Sequence, residues 1–111
     1  MLNLYALHNS KELNNHSLYS HLITSLMKNM IDGDDYRPIM HIIKRSPKMA
    51  HYYAYFIIKG RWKEAELVIM KDTKYAYLYA ADVIKGRFYE AEPHIKKSEY
   101  WDARYCWKFK L

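Results

Sequence analysis

Six histidines, at positions 8, 16, 21, 41, 51 and 94, are the residues of this 111-residue chain best able to hold a metal or move a proton. No two of them form a helical metal motif with an adjacent Glu, and His16 and His21, five apart, do not share a helical face. They read as ordinary surface or core histidines. Glu64, Glu66, Glu90 and Glu92 could be offered as paired carboxylates. An acid–base pair needs two carboxylates in unlike environments, and these recur 26 residues apart, so the expectation is a structural role, pairing with Arg61 and Arg87 between adjacent units. Asp32-Gly33-Asp34-Asp35 could open a calcium loop, but the twelfth position, where a closing Glu is required, is Ile43. The stretch reads better as Gly33 ending one helix and Asp34 or Asp35 capping the next. Nucleophile elbow, phosphate loop and dinucleotide fingerprint are all absent from the sequence, so no enzyme, no metal site and no cofactor are expected.

The twelve tyrosines offer a different chemistry. Tyr52, Tyr55, Tyr75, Tyr77 and Tyr89 are interleaved with Lys48, Lys59, Lys63, Lys74 and Lys85. Rings beside ammonium groups can stack bases and neutralise phosphates, or anchor a protein partner through a large rigid surface with a polar tip. Tyr53, Tyr79 and Tyr105, by contrast, fall on core positions.

These residues are positioned by a duplication. Ala50, Tyr53, Ala54, Ile58, Lys59, Gly60, Arg61, Glu64, Ala65, Glu66, Ile69 and Lys71 return as Ala76, Tyr79, Ala80, Ile84, Lys85, Gly86, Arg87, Glu90, Ala91, Glu92, Ile95 and Lys97. A fixed period in this range is the mark of repeat architecture. Ser46, Asp72 and Ser98 are N-cap types, and Pro47 suits a first helical position. Longer helices are therefore expected over Pro47–Lys59 and Thr73–Lys85 and from Glu99 onward, with Gly60 and Gly86 as left-handed residues past their ends. Shorter helices bury Trp62, Ala65 and Ile69, then Phe88, Ala91 and Ile95.

The expected fold is all-α: a short α-solenoid of helix-turn-helix units with a 26-residue period, about six or seven helices in one domain over 1–111. Residues 1–16 form an irregular lead-in, and 17–31 an N-terminal helix striped by Leu18, Leu22, Leu26 and Met30. Units follow at 35–60, 61–86 and 87–111. The last unit is cut short, and Trp107, Phe109 and Leu111 alternate with Lys108 and Lys110, which suits either a frayed helix end or a short extended tail.

Ile58-Lys59-Gly60-Arg61-Trp62-Lys63-Glu64-Ala65-Glu66 and the stretch from Tyr75 to Phe88 resemble a repeat of large tailed phages and giant viruses. The likeness covers about residues 46–98, with its Glu-Ala-Glu-Pro word kept at Glu90 to Pro93 and lost at Leu67. The resemblance implies helical repeats and a viral source; it supplies no activity and no catalytic residue. By analogy of size, it suggests an inhibitor of host defence.

Charge narrows the partners. Residues 1–36 carry 2 basic and 4 acidic groups, whereas residues 37–111 carry 16 and 8. A basic repeat region favours an acidic protein or a nucleic acid. Cys106 is the only cysteine, which fits the cytoplasm (the host cytoplasm if the protein is viral), and no window nears the roughly 18 apolar residues of a membrane span. The leading expectation is a non-enzymatic module that docks on a host protein, with a nucleic-acid binder as the alternative. The contact residues expected are Tyr52, Tyr55, Tyr75, Tyr77, Lys63, Lys74, Trp107 and Phe109, and a homodimer through the uncovered C-terminal end is a further expectation.

Overall fold

The structure, a computed structural model, describes Tyr36 and residues 39–111. The expected lead-in at 1–16, the helix at 17–31 and the Asp32–Asp35 break lie outside them. All regular structure among the described residues is helical, with no strand. Six α-helices run in order: α1 (Met40–Ile43), α2 (Pro47–Tyr53), α3 (Lys63–Ile69), α4 (Thr73–Tyr79), α5 (Glu92–Ile95) and α6 (Glu99–Phe109). The C-terminal end is thus helical to Phe109, which settles its alternation of aromatic and lysine residues.

The starts of the longer helices follow from their caps. The Ser46 hydroxyl accepts from the Met49 N–H at 3.2 Å, the Asp72 carboxylate from those of Lys74 and Tyr75 at 3.0 and 3.3 Å, and the Ser98 hydroxyl from that of Trp101 at 3.3 Å. Each satisfies a donor that the first helical turn leaves without an internal partner. A one-turn 3-10 segment, Tyr89–Ala91, replaces the start that α3 makes in regular α geometry. Pro93, where α3 has Leu67, has no N–H to give to the carbonyl four residues back, so the first turn tightens.

The ends of α2 and α4 differ from expectation. Both helices continue into a π-helical turn, Ala54–Ile58 and Ala80–Ile84, and the left-handed residues are Lys59 (φ 60°) and Lys85 (φ 59°), not Gly60 and Gly86. The widened turn lets one carbonyl, Ala54 O, accept from both the Lys59 and Gly60 N–H groups, at 2.7 and 3.3 Å, so the chain reverses one residue before the glycine. Ala80 O serves Lys85 and Gly86 in the same way. Helix α6 has no such turn. It closes at Lys110 (φ 58°), with the Leu111 N–H on Cys106 O at 2.8 Å, the usual bond to the carbonyl five residues back.

Packing explains why the period is so strict. Ile39, Ala65 and Ala91 are fully buried at equivalent positions, as are Ile43, Ile69 and Ile95. Helix α2 packs on α4 and α4 on α6, while α3 and α5 join each neighbouring pair. Ala50, Ala54, Ala76 and Ala80 are fully buried on the longer helices, where a small side chain permits close helix approach.

Candidate binding surfaces

The recurring charged residues form a clasp inside each of the units at 61–86 and 87–111. Arg61 donates from Nε and Nη2 to the two carboxylate oxygens of Glu66, both at 2.9 Å, and the Tyr79 hydroxyl donates to Glu66 Oε2 at 2.8 Å while accepting from the Trp62 N–H at 2.7 Å. In the next unit Arg87 grips Glu92 at 2.8 Å twice, and the Tyr105 hydroxyl bonds Glu92 Oε2 at 2.5 Å and the Phe88 N–H at 3.0 Å. The pairing expected between adjacent units is therefore within a unit, because Arg and Glu bracket the start of one short helix. A cross-unit ion pair is made by Glu64, whose carboxylate meets Lys44 Nζ at 3.0 Å.

Electrostatics follow the geometry. Burial raises the Glu66 carboxyl, but the bonds from Arg61 and Tyr79 outweigh it and hold the group below its ordinary range. Arg87 lowers Glu92 likewise, with burial opposing. Burial and the bond to Glu92 push the Tyr105 phenol up to about 12. Carboxylates pinned to a guanidinium and a phenol serve as tie points between chain segments.

The tyrosines separate by their surroundings. Tyr77, expected to be available for a partner, is buried at 8% exposure under Trp101, with ring centroids 5.6 Å apart. Tyr52 and Tyr75 are half-buried and pack around His51, at 4.9 and 5.7 Å. Tyr77 is corrected from a contact residue to a packing residue, because Trp101 of the neighbouring unit covers it, while Tyr52 and Tyr75 keep part of their surface exposed. Lys63 and Lys74 are exposed, the latter with its ammonium over the Tyr75 ring at 5.4 Å. Tyr77 thus drops out of the Tyr–Lys face expected for nucleic acid, while Tyr55 and Tyr89 stay exposed.

At the end of the chain Phe109 and Trp107 part company. Phe109 is half-buried edge-on against Tyr105 at 4.9 Å, so it belongs to the core margin. Trp107 is 85% exposed. It shares one stripe of α6 with Tyr100, Ala103 and Arg104, at helical spacing, all of them exposed, and the exposed Leu111 follows beyond the helix end. The Arg104 guanidinium lies 5.6 to 5.7 Å from the rings of Tyr77, Tyr100 and Trp101. Two shallow hollows flank Trp107, lined between them by Arg104, Lys108, Lys110 and Leu111 among others, and no carboxylate lines either. Cys106 lies close by, its thiol raised by burial and by Asp102, whose carboxylate is 3.6 Å from Sγ, which disfavours thiolate chemistry. Sequence reasoning missed Tyr100 and Arg104, while Leu111 was expected among the uncovered apolar groups of this end. The signal for Tyr100 and Arg104 was available in their spacing from Trp107.

A second concavity, about 590 Å³, lies where the ends of α2, α4 and α6 come together. Tyr55, Lys59, Asp82, Lys85, Lys108 and Phe109 line it. Behind its wall sits His51, 2% exposed, with neither ring nitrogen in a hydrogen bond among the described residues. Its ring lies parallel to Tyr55 at 6.4 Å, and its Nε2 is 3.7 Å from the Asp82 carboxylate. Burial lowers the imidazole below its ordinary value, and Asp82 offsets this only in part.

Among the described residues no group of three or more His, Cys, Asp or Glu side chains could hold a metal ion, and no helix is long and apolar enough to cross a membrane. No protein-family model, curated protein or solved structure matches the chain.

Proposed function

We propose that the chain is a short α-solenoid of 26-residue helix-turn-helix units acting as a non-enzymatic binding module, and that its working surface is the outer stripe of α6. The observation that carries this reading is Trp107: a large aromatic side chain, 85% exposed, on the outer face of α6. Exposed aromatic residues flanked by polar ones are the usual anchors of protein interfaces. The flanking groups Arg104, Lys108 and Lys110 are cationic, so the complementary occupant is an acidic protein segment that brings an apolar side chain to the hollows beside Trp107. A second copy of the chain would set like charges against each other there. The resemblance to phage and giant-virus repeats adds a biological setting: a virus-encoded protein that docks on an acidic host protein in the host cytoplasm and blocks or redirects it.

The reading is tested by affinity capture from host lysate with the intact chain and with residues 107–111 deleted, followed by sedimentation of each preparation. The expected result is a stoichiometric acidic protein with the intact chain, none with the truncated chain, and a monomer in both cases before the partner is added. Equal capture by both chains would overturn it. A dimer that dissociates on truncation would replace the host protein with a second copy.

A further inference from the structure

The concavity between the ends of α2, α4 and α6 shares Lys108 with the α6 surface and otherwise has its own lining. Its volume of about 590 Å³ is that of a small-molecule site. Three ammonium groups, Lys59, Lys85 and Lys108, face one carboxylate, Asp82. Helix C-terminal ends would ordinarily present unpaired carbonyls that repel an anion. Here Ala54 O and Ala80 O are each taken up by N–H groups of the following reversal, so the lysine charge is less opposed.

The wall also carries flat apolar surface: the exposed Tyr55 ring, backed by the parallel ring of buried His51, and Phe109 at the other side. A site that joins several cations to a stacking ring suits a ligand with a phosphate and a planar heterocycle.

We infer that this concavity binds a nucleotide, its phosphate held by Lys59, Lys85 and Lys108 and its base stacked on Tyr55. The nucleotide is either free or one residue of a single strand, and the two sources share this chemistry.

The test is a set of titrations of the intact chain at about 50 mM salt, where phosphate contacts are strong, with adenosine monophosphate, an oligothymidylate and inorganic phosphate. Either nucleotide ligand should bind, with inorganic phosphate about tenfold weaker or more. Binding of the oligonucleotide, alone or more tightly, assigns the site to a strand; binding of the mononucleotide alone assigns it to a free ligand. The double variant Lys59→Glu, Lys85→Glu should weaken the bound ligand about tenfold or more, Tyr55→Ala should erase the preference over inorganic phosphate, and Leu67→Ala, at an exposed position of α3 away from the concavity, should leave nucleotide affinity unchanged. Should the double variant lose helical content, Lys59→Gln and Lys85→Gln, made singly, read the same concavity. The inference is overturned if no nucleotide binds, if phosphate binds as tightly, if the lysine variants keep full affinity, or if Leu67→Ala weakens binding as much as they do.

Discussion

The units at 61–86 and 87–111 carry the same clasp but present opposite outer faces. Arg61, Glu66 and Tyr79 in one, and Arg87, Glu92 and Tyr105 in the other, make the same bonds to within a few tenths of an ångström. On the outer face the equivalents diverge. Tyr77 is buried and Ala103 exposed; Ala81 is half-buried and Trp107 stands in solvent; Ala80 is fully buried and Cys106 only half so. The clasp is therefore a property of the unit, written in its own residues, whereas the outer face is a property of whatever lies against it. The π-helical turns follow the second rule. They occur on α2 and α4, whose ends touch, and not on α6.

The largest effect should come from breaking the clasp in each unit in turn. Glu66→Ala leaves the Arg61 guanidinium and the Tyr79 hydroxyl without their shared acceptor in a buried setting, and should cost about 3 kcal/mol. Glu92→Ala should cost less, about 1–2 kcal/mol, because the Arg87–Glu92 pair is more exposed. Urea denaturation monitored by circular dichroism reads both. Equal costs would show that exposure does not distinguish the two clasps.

Overpacking separates the outer faces. Ala80→Leu forces added volume into a fully buried contact and should cost about 1–3 kcal/mol, while Cys106→Leu at the equivalent half-buried position should cost under about 0.5 kcal/mol. Similar losses at the two sites would mean that α6 is covered after all.

Acid should divide the two junctions between longer helices. His51 and Tyr77 are equivalent positions, the first facing α4 and the second α6. Because the folded state lowers the His51 pKa below its ordinary 6.5, the unfolded chain binds the proton more readily. Stability is then fully present above pH 6.5 and falls as the pH drops, by at most about 1.4 kcal/mol per pH unit, until the folded value is reached. Besides Asp82, the rings of Tyr52, Tyr55 and Tyr75 lie around the imidazole. Glu66 and Glu92, whose folded values are lowered, contribute stability that is lost only as pH falls below 4.5, so the windows are distinct. His51→Tyr, which copies the Tyr77 slot, should flatten the slope between about pH 6.5 and 5. A slope unchanged by that substitution would assign it to other groups.

The sequence carried the repetitive half of this description better than the terminal half. Ser46, Asp72 and Ser98 announced three helix starts, and the 26-residue spacing located the buried Ile43, Ile69 and Ile95, because both signals are local or periodic. Three things were not legible. The left-handed residue fell on Lys59 and Lys85 since the widened turn depends on how helix ends meet. The Arg–Glu partner was placed in the wrong unit since spacing alone gives no pairing. Tyr77 was read as available since its cover, Trp101, comes from the next unit. At the end of the last unit, Trp107 was expected to be uncovered and is exposed, but its separation from Phe109 needed the direction of each side chain from α6.

The smallest stability change and the most telling one belong to the same residue. Trp107→Ala removes a side chain with little cover, so thermal stability should stay within about 0.5 kcal/mol of the parent chain. Its affinity for the captured acidic partner, measured by titration on the same preparation, should fall by about 30-fold or more, the loss of a single aromatic anchor. Unchanged affinity, or a loss that merely follows a fall in stability, would contradict the assignment of α6 as the binding end.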